Sequence, residues 1–120
     1  MTGGAGFIGS HLTEALVRRG QRVRVLDNLS SGSLRNLGQV RNRVEFVLGD
    51  LRDARILRRA LRGVEVVFHQ AALRSVPKSV ANPMEYHEVN ATATLALLGA
   101  AAEAGVRRVV YATGAVMSPR

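Results

Sequence analysis

At 120 residues the chain is long enough for one domain with its own core and too short for two. Hydrophobic residues make up 47%, which speaks for a globular fold, and the absence of cysteine excludes disulfides and thiolate metal sites. The formal charge of +8 comes from sixteen arginines and one lysine, but these are spread along the chain and aromatic residues are only 4%. The stacking platforms of a single-strand binder are therefore lacking, and solvated helix faces are the expected home of the charge rather than a nucleic-acid surface. His11, His69 and His87 show no metal-ligand spacing, so no metal site is expected. No apolar run approaches the roughly 20 residues that span a bilayer. The N-terminus lacks the basic start and apolar stretch of a signal peptide. A soluble cytoplasmic protein is expected.

Taken in chain order, the first signal is the turn Thr2-Gly3-Gly4-Ala5-Gly6-Phe7-Ile8-Gly9, with glycines spaced G-x-x-G-x-x-G. Gly3 permits a tight turn, Gly6 lets the backbone approach a pyrophosphate, and Gly9 lets the following helix pack closely. That helix is expected over residues 7–19, with Ile8, Leu12, Ala15 and Leu16 on one face. Its N-terminus offers free N–H groups and a partial positive charge to phosphates. Residues 22–27 read as a strand that closes on Asp27, eighteen places after Gly9. A carboxylate at that distance suits ribose hydroxyls and would repel a 2′-phosphate, which favours NAD over NADP. Residues 44–48, 64–69 and 107–112 read as three further strands. A helix over 53–62 turns Ile56, Leu57, Ala60 and Leu61 inward, capped by Asp53 and ended by Gly63. The longest helix is expected over 84–104, between Pro83 and Gly105.

Alternating strands and helices give a fold class of α/β: a Rossmann-like, doubly wound parallel sheet in a single domain over 1–120. Ligands on such sheets bind beyond the carboxyl ends of the strands. The glycine turn normally follows a strand of about five apolar residues, central in the order 3-2-1-4-5. Here only Met1 and Thr2 precede Gly3. The expectation is a truncated domain whose first strand is largely missing, Met1 standing for its last part, as a start codon assigned too late would leave it.

The ordered runs TGGAGFIGSHL, VRVLDNLSSG, GDLRD and VVFHQAA, followed by the Asn90 helix, resemble the extended short-chain dehydrogenase/reductase superfamily. Within it the likeness is to NAD-dependent nucleotide-sugar epimerases and dehydratases of the UDP-glucose 4-epimerase type, from Thr2 to about Ala112. The resemblance implies that Gly3, Gly6, Phe7, Ile8 and Gly9 line the pyrophosphate turn. Asp27 and Asn28 would hold the adenosine ribose, with Ser31 and Gly32 in the loop beyond. Asp50 would take the exocyclic amine of adenine while Leu51 packs on the ring; the alternative for Asp50 is a helix cap. Ala71, Ala72 and Leu73 would border the cofactor, and Arg74 would reach a phosphate or carboxylate or simply be solvated. Asn90 would support the active-site side or tie its helix to a loop, and Thr113 would flank the cofactor. A nucleotide sugar would be the substrate of the full-length relative, and a homodimer is compatible with the likeness.

Hydride transfer in the resembled family needs a tyrosine and lysine spaced Tyr-x-x-x-Lys, the lysine lowering the tyrosine pKa by its charge. The single lysine, Lys78, has Arg74 four residues before it, and Tyr86 and Tyr111 are followed at that spacing by Asn90 and Ala115. No catalytic residue is assigned, the part that would hold the sugar nucleotide is absent, and the chain alone is expected to be inactive. Two other readings stand beside this one: a non-catalytic NAD or nucleotide sensor, and a basic nucleic-acid binder on an α/β scaffold.

Overall fold

The computed structural model describes residues 1–112. Four short parallel strands form two pairs: β1 (Arg24–Asp27) with β2 (Glu45–Leu48), and β3 (Val66–His69) with β4 (Arg108–Tyr111). Val25 lies opposite Phe46, and Val67 opposite Val109. Each strand is one or two residues shorter than its apolar run suggests. What joins the pairs is Thr2, bridged in parallel to Leu26 on one side and His69 on the other. Its N–H donates to the Phe68 carbonyl at 2.9 Å, and its carbonyl accepts from Gln70 at 3.1 Å. On the other flank Leu26 donates to Met1 at 2.8 Å, and Gly3 donates to Leu26 at 2.9 Å. The order in space is β2–β1–Thr2–β3–β4, so residues 1–3 stand where the sequence places a central first strand.

Helices cover both faces of this sheet. On one face α2 (Ala54–Leu61) and α5 (Ala93–Glu103) pack on Leu26, Val47 and Val67 through Leu57, Leu61, Leu97 and Ala101. On the other, α1 (Phe7–Arg18) and a 3₁₀ segment (Leu34–Arg43) form a smaller core of Val17, Leu37 and Val40 against Val23, Val44 and Phe46. The fold is the doubly wound α/β arrangement. No helix among the described residues is long and apolar enough to cross a membrane.

The local chemistry explains α2 well. Asp53 accepts from Arg55 N at 2.9 Å and Ile56 N at 3.4 Å, so it is the N-cap, and Gly63, at φ 75°, follows the last turn. The Arg24 guanidinium crosses from β1 to take the Ala60 and Arg62 carbonyls at 2.8 and 2.7 Å, satisfying the carbonyl end of the helix.

Two helices differ from expectation. The buried face of α1 is Gly9, Ser10, Thr13 and Val17, while Ile8 stays 47% exposed and Ala15 is exposed. Small residues win that face because the helix lies against the glycine turn itself, and the Thr13 hydroxyl is absorbed by the Gly9 carbonyl at 2.8 Å. The stretch 84–104 is not one regular helix. It starts as α4 (Pro83–His87), widens to a π-helical turn (Glu88–Thr92), and continues as α5. Neither α3 (Val76–Ala81) nor the 3₁₀ segment was signalled by the apolar pattern.

Candidate functional site

Beyond the carboxyl ends of β1, β2 and β3 the chain opens a cleft. Its floor is the glycine turn. Gly3 has φ +67°, and a Cβ there would stand 2.7 Å from the Ala71 backbone nitrogen. A Cβ on Gly9 would come within 2.1 Å of the Gly3 carbonyl oxygen, so only glycine lets α1 rest on the turn. Gly6 lines the cleft, and a Cβ there would meet only that same oxygen, at 3.3 Å. Gly6 is also the N-cap of α1 and offers no side-chain cap. The first-turn N–H groups of α1, at Phe7, Ile8 and Gly9, therefore face the cleft without a capping side chain. The Phe7 side chain at α1's entry is 73% exposed.

Asp27 ends β1 beside this turn and is 9% exposed. Its Oδ2 accepts from Ala5 N at 2.9 Å and its Oδ1 from Leu29 N at 2.8 Å. One acceptor position remains on each oxygen, aimed by a carboxylate that the backbone holds still. The second of these bonds also steadies Leu29, the one non-glycine residue with positive φ among the described residues, at 60°. Next to it Asn28 lines the cleft and reaches Asp50. Ser31 lies on the rim, whereas Gly32 does not line the cleft and instead packs against the Ala5 carbonyl. Ser33 N and Asn36 Nδ2 bind that carbonyl at 3.0 and 2.8 Å, which ties the loop down over the turn.

Asp50 and Leu51 follow β2. Asp50 is not the helix cap, a role that Asp53 fills. Its carboxyl is held well below the usual carboxylate range, first by the hydrogen-bonded Arg52 guanidinium; burial opposes this. Leu51 is buried, so much of its side chain belongs to the main core as well as to the cleft wall. Ala71, Ala72, Leu73 and Arg74 line the far wall after β3, Arg74 at the exposed rim. Asn90 is not a lining residue. It holds that wall in place: its Oδ1 accepts from Leu73 N and its Nδ2 donates to Leu73 O, both at 2.8 Å. Thr113 lies outside the described residues.

Sequence reasoning missed four groups here. Arg52, Gln70 and Glu85 line the cleft; in the sequence Arg52 is indistinguishable from the solvated arginines around it. His69 is buried and joins Thr2 (2.7 Å) to Thr94 (2.9 Å) under the cleft. Its only sequence signal is a polar residue closing an apolar strand. Among the described residues no group of three His, Asp or Glu side chains could hold a metal ion.

Comparison with known proteins shows the same outline. A family model described as the NAD dependent epimerase/dehydratase family matches residues 1–119. A UDP-glucose 4-epimerase of Neisseria meningitidis serogroup C is 39% identical over 123 residues, which take in 98% of this chain and 36% of that protein. The crystal structure of DesIV, a dTDP-glucose 4,6-dehydratase from Streptomyces venezuelae with NAD and TYD bound, superposes with a TM-score of 0.83 at 43% identity, over 90% of this chain and 36% of that one. The Thermus thermophilus UDP-glucose 4-epimerase in complex with NAD gives a TM-score of 0.82 at 45% identity, over 90% and 34%. The chain thus spans about a third of the length of these relatives.

Proposed function

Since the chain belongs to the NAD-dependent epimerase/dehydratase family, we propose that it is the NAD-binding portion of a nucleotide-sugar epimerase or dehydratase of the UDP-glucose 4-epimerase type, working in the cytoplasm. The observation that carries this is the uncapped N-terminus of α1 opening onto a cleft whose wall bears the backbone-pinned Asp27 carboxylate. The amides of the first turn and the bare Gly6 backbone would take the pyrophosphate. The open acceptor positions of Asp27 would take the adenosine ribose, Asn28 and Ser31 standing next to them. The Ala71–Ala72–Leu73 wall, fixed by Asn90, would border the nicotinamide half, Arg74 would shape its rim, and Gly32 would let the loop after β1 close on the glycine turn.

When bound, NAD supplies a hydride acceptor for transient oxidation of a sugar carbon. The residues of this chain supply binding and orientation; the Tyr-x-x-x-Lys chemistry is not in this sequence, and the chain alone is proposed not to turn over. Titration calorimetry with NAD and NADP tests the reading. Saturable NAD binding at least about tenfold tighter than NADP binding supports it; equal affinity, or no binding of either, overturns it.

A further inference from the structure

The two carboxylates of the cleft differ in one respect. Asp27 keeps acceptor positions open, whereas Asp50 has none. A carboxylate offers about four hydrogen-bond positions. At Asp50, Oδ1 accepts from Arg52 N and Arg52 Nε, both at 2.9 Å. Oδ2 accepts from Arg52 Nη2 at 2.8 Å and from Asn28 Nδ2 at 3.2 Å. Arg52 sends its remaining terminal nitrogen toward Glu88 on the π-helical turn, at 3.8 Å. An exocyclic amine arriving at Asp50 must therefore replace a donor already there.

The geometry points to which donor gives way. Arg52 grips both oxygens with a planar, charged fork at short distances, and its own backbone N–H adds a third bond. The Asn28 amide is neutral, makes one long bond, and is anchored separately through its Oδ1, which accepts from Ser30 N at 3.0 Å. It can leave Asp50 without losing its place. We propose that Arg52 is a positioning residue of the adenine subsite, holding the Asp50 carboxylate aimed, and that Asn28 is the displaceable donor. On this assignment, which rests on the NAD-binding reading, the Asn28 amide passes from Asp50 to the ribose as the adenine amine takes its position. The carboxylate keeps four donors throughout, and base and ribose are recognised in one exchange. A carboxylate held in this orientation also rejects a purine with a 6-oxo group, because two acceptors would then face each other.

The test is calorimetric binding of NAD and of its hypoxanthine analogue, nicotinamide hypoxanthine dinucleotide, to the wild-type chain and to Arg52→Met, Arg52→Lys and Asn28→Ala. Wild type is expected to prefer NAD by about tenfold or more, the scale of one hydrogen bond to a charged group. Arg52→Met is expected to bring that ratio close to one, because Asp50 is free to turn away from a 6-oxo group. Arg52→Lys, which keeps charge but loses the fork, is expected to fall between them, and serves alone if the methionine variant does not fold. Asn28→Ala is expected to weaken both ligands and keep the ratio. A merely structural Arg52 would weaken both ligands alike. A wild-type ratio in Arg52→Met or Arg52→Lys, or a collapsed ratio in Asn28→Ala, overturns the assignment while leaving the NAD reading intact. Failure of the wild-type chain to bind NAD overturns that reading and the assignment with it.

Discussion

His69 and Thr94 are joined by a 2.9 Å hydrogen bond between Nε2 and Oγ1, and the surrounding pattern fixes its direction. The Thr2 hydroxyl oxygen accepts from Gln70 N and Ala71 N, both at 3.2 Å, so its proton goes to His69 Nδ1 at 2.7 Å. His69 must then carry its hydrogen on Nε2 and give it to Thr94, whose own proton goes to the Asn90 carbonyl at 2.9 Å. The chain of bonds runs from the centre of the sheet to the residue that clamps the cleft wall, and every member has one assignment.

This network accepts only a neutral imidazole. The His69 pKa is lowered from its ordinary value of 6.5, chiefly by burial. A group that resists protonation in the folded state gives stability that is complete at higher pH and is lost as pH falls through about 6.5, since the unfolded chain then binds the extra proton. The melting temperature is expected to drop between about pH 7.5 and 5.5, the range where histidine titrates. In His69→Gln the baseline is lower and this slope flattens; a wild-type slope in the variant would refute the prediction.

Two glycine substitutions should part company. Gly9→Ala puts a Cβ 2.1 Å from a backbone oxygen that has nowhere to go. A loss of about 3 kcal/mol or more is expected, at the upper end of overpacking costs, with NAD binding abolished. Gly99→Ala sits within α5 with nothing inside 4 Å. It should stabilise by roughly 0.5–1 kcal/mol through helix propensity alone. Urea melts of both variants decide.

Asp27→Asn keeps the shape but turns one oxygen into a donor facing an N–H of Ala5 or Leu29. Stability is expected to fall by about 1–3 kcal/mol, the cost of a buried unsatisfied donor. Affinity for NAD should fall by about tenfold or more, and the preference over NADP should shrink as the repelling charge is removed. Calorimetry with both dinucleotides reads the ratio.

Asp53→Ala removes the α2 cap and nothing in the cleft. A loss of about 1 kcal/mol is expected, seen as a few degrees in the melting temperature. NAD affinity measured well below that temperature should not change.

The glycine turn, the four strands and α2 were legible in the sequence because each rests on a local rule: a backbone conformation, a run of apolar residues, a capped amphipathic face. What escaped it depends on contacts between distant residues. The buried face of α1 is chosen by the closeness of Gly3 and Gly9 rather than by the stripe of Ile8, Leu12, Ala15 and Leu16. The π-helical turn arises where Asn90 is held by Leu73, seventeen residues away, and no propensity scale distinguishes it from ordinary helix. The 3₁₀ segment carries only Leu37 and Val40 as buried anchors and is kinked at Gly38, so it shows no period. In the site, Asp27 and Asp50 stand out as acids closing or following strands. Arg52 does not, because its pairing with Asp50 cannot be told from solvation among so many arginines.

The bridging position of Thr2 has a mechanical corollary. The β1–β2 half and the β3–β4 half of the sheet meet through residues 1–3, and the cleft opens directly over this seam. Any molecule that touches Asp27 on one bank and Ala71 on the other lies across that seam like a splint. Occupancy of the cleft and rigidity of the sheet beneath it are then one equilibrium, observed from two sides.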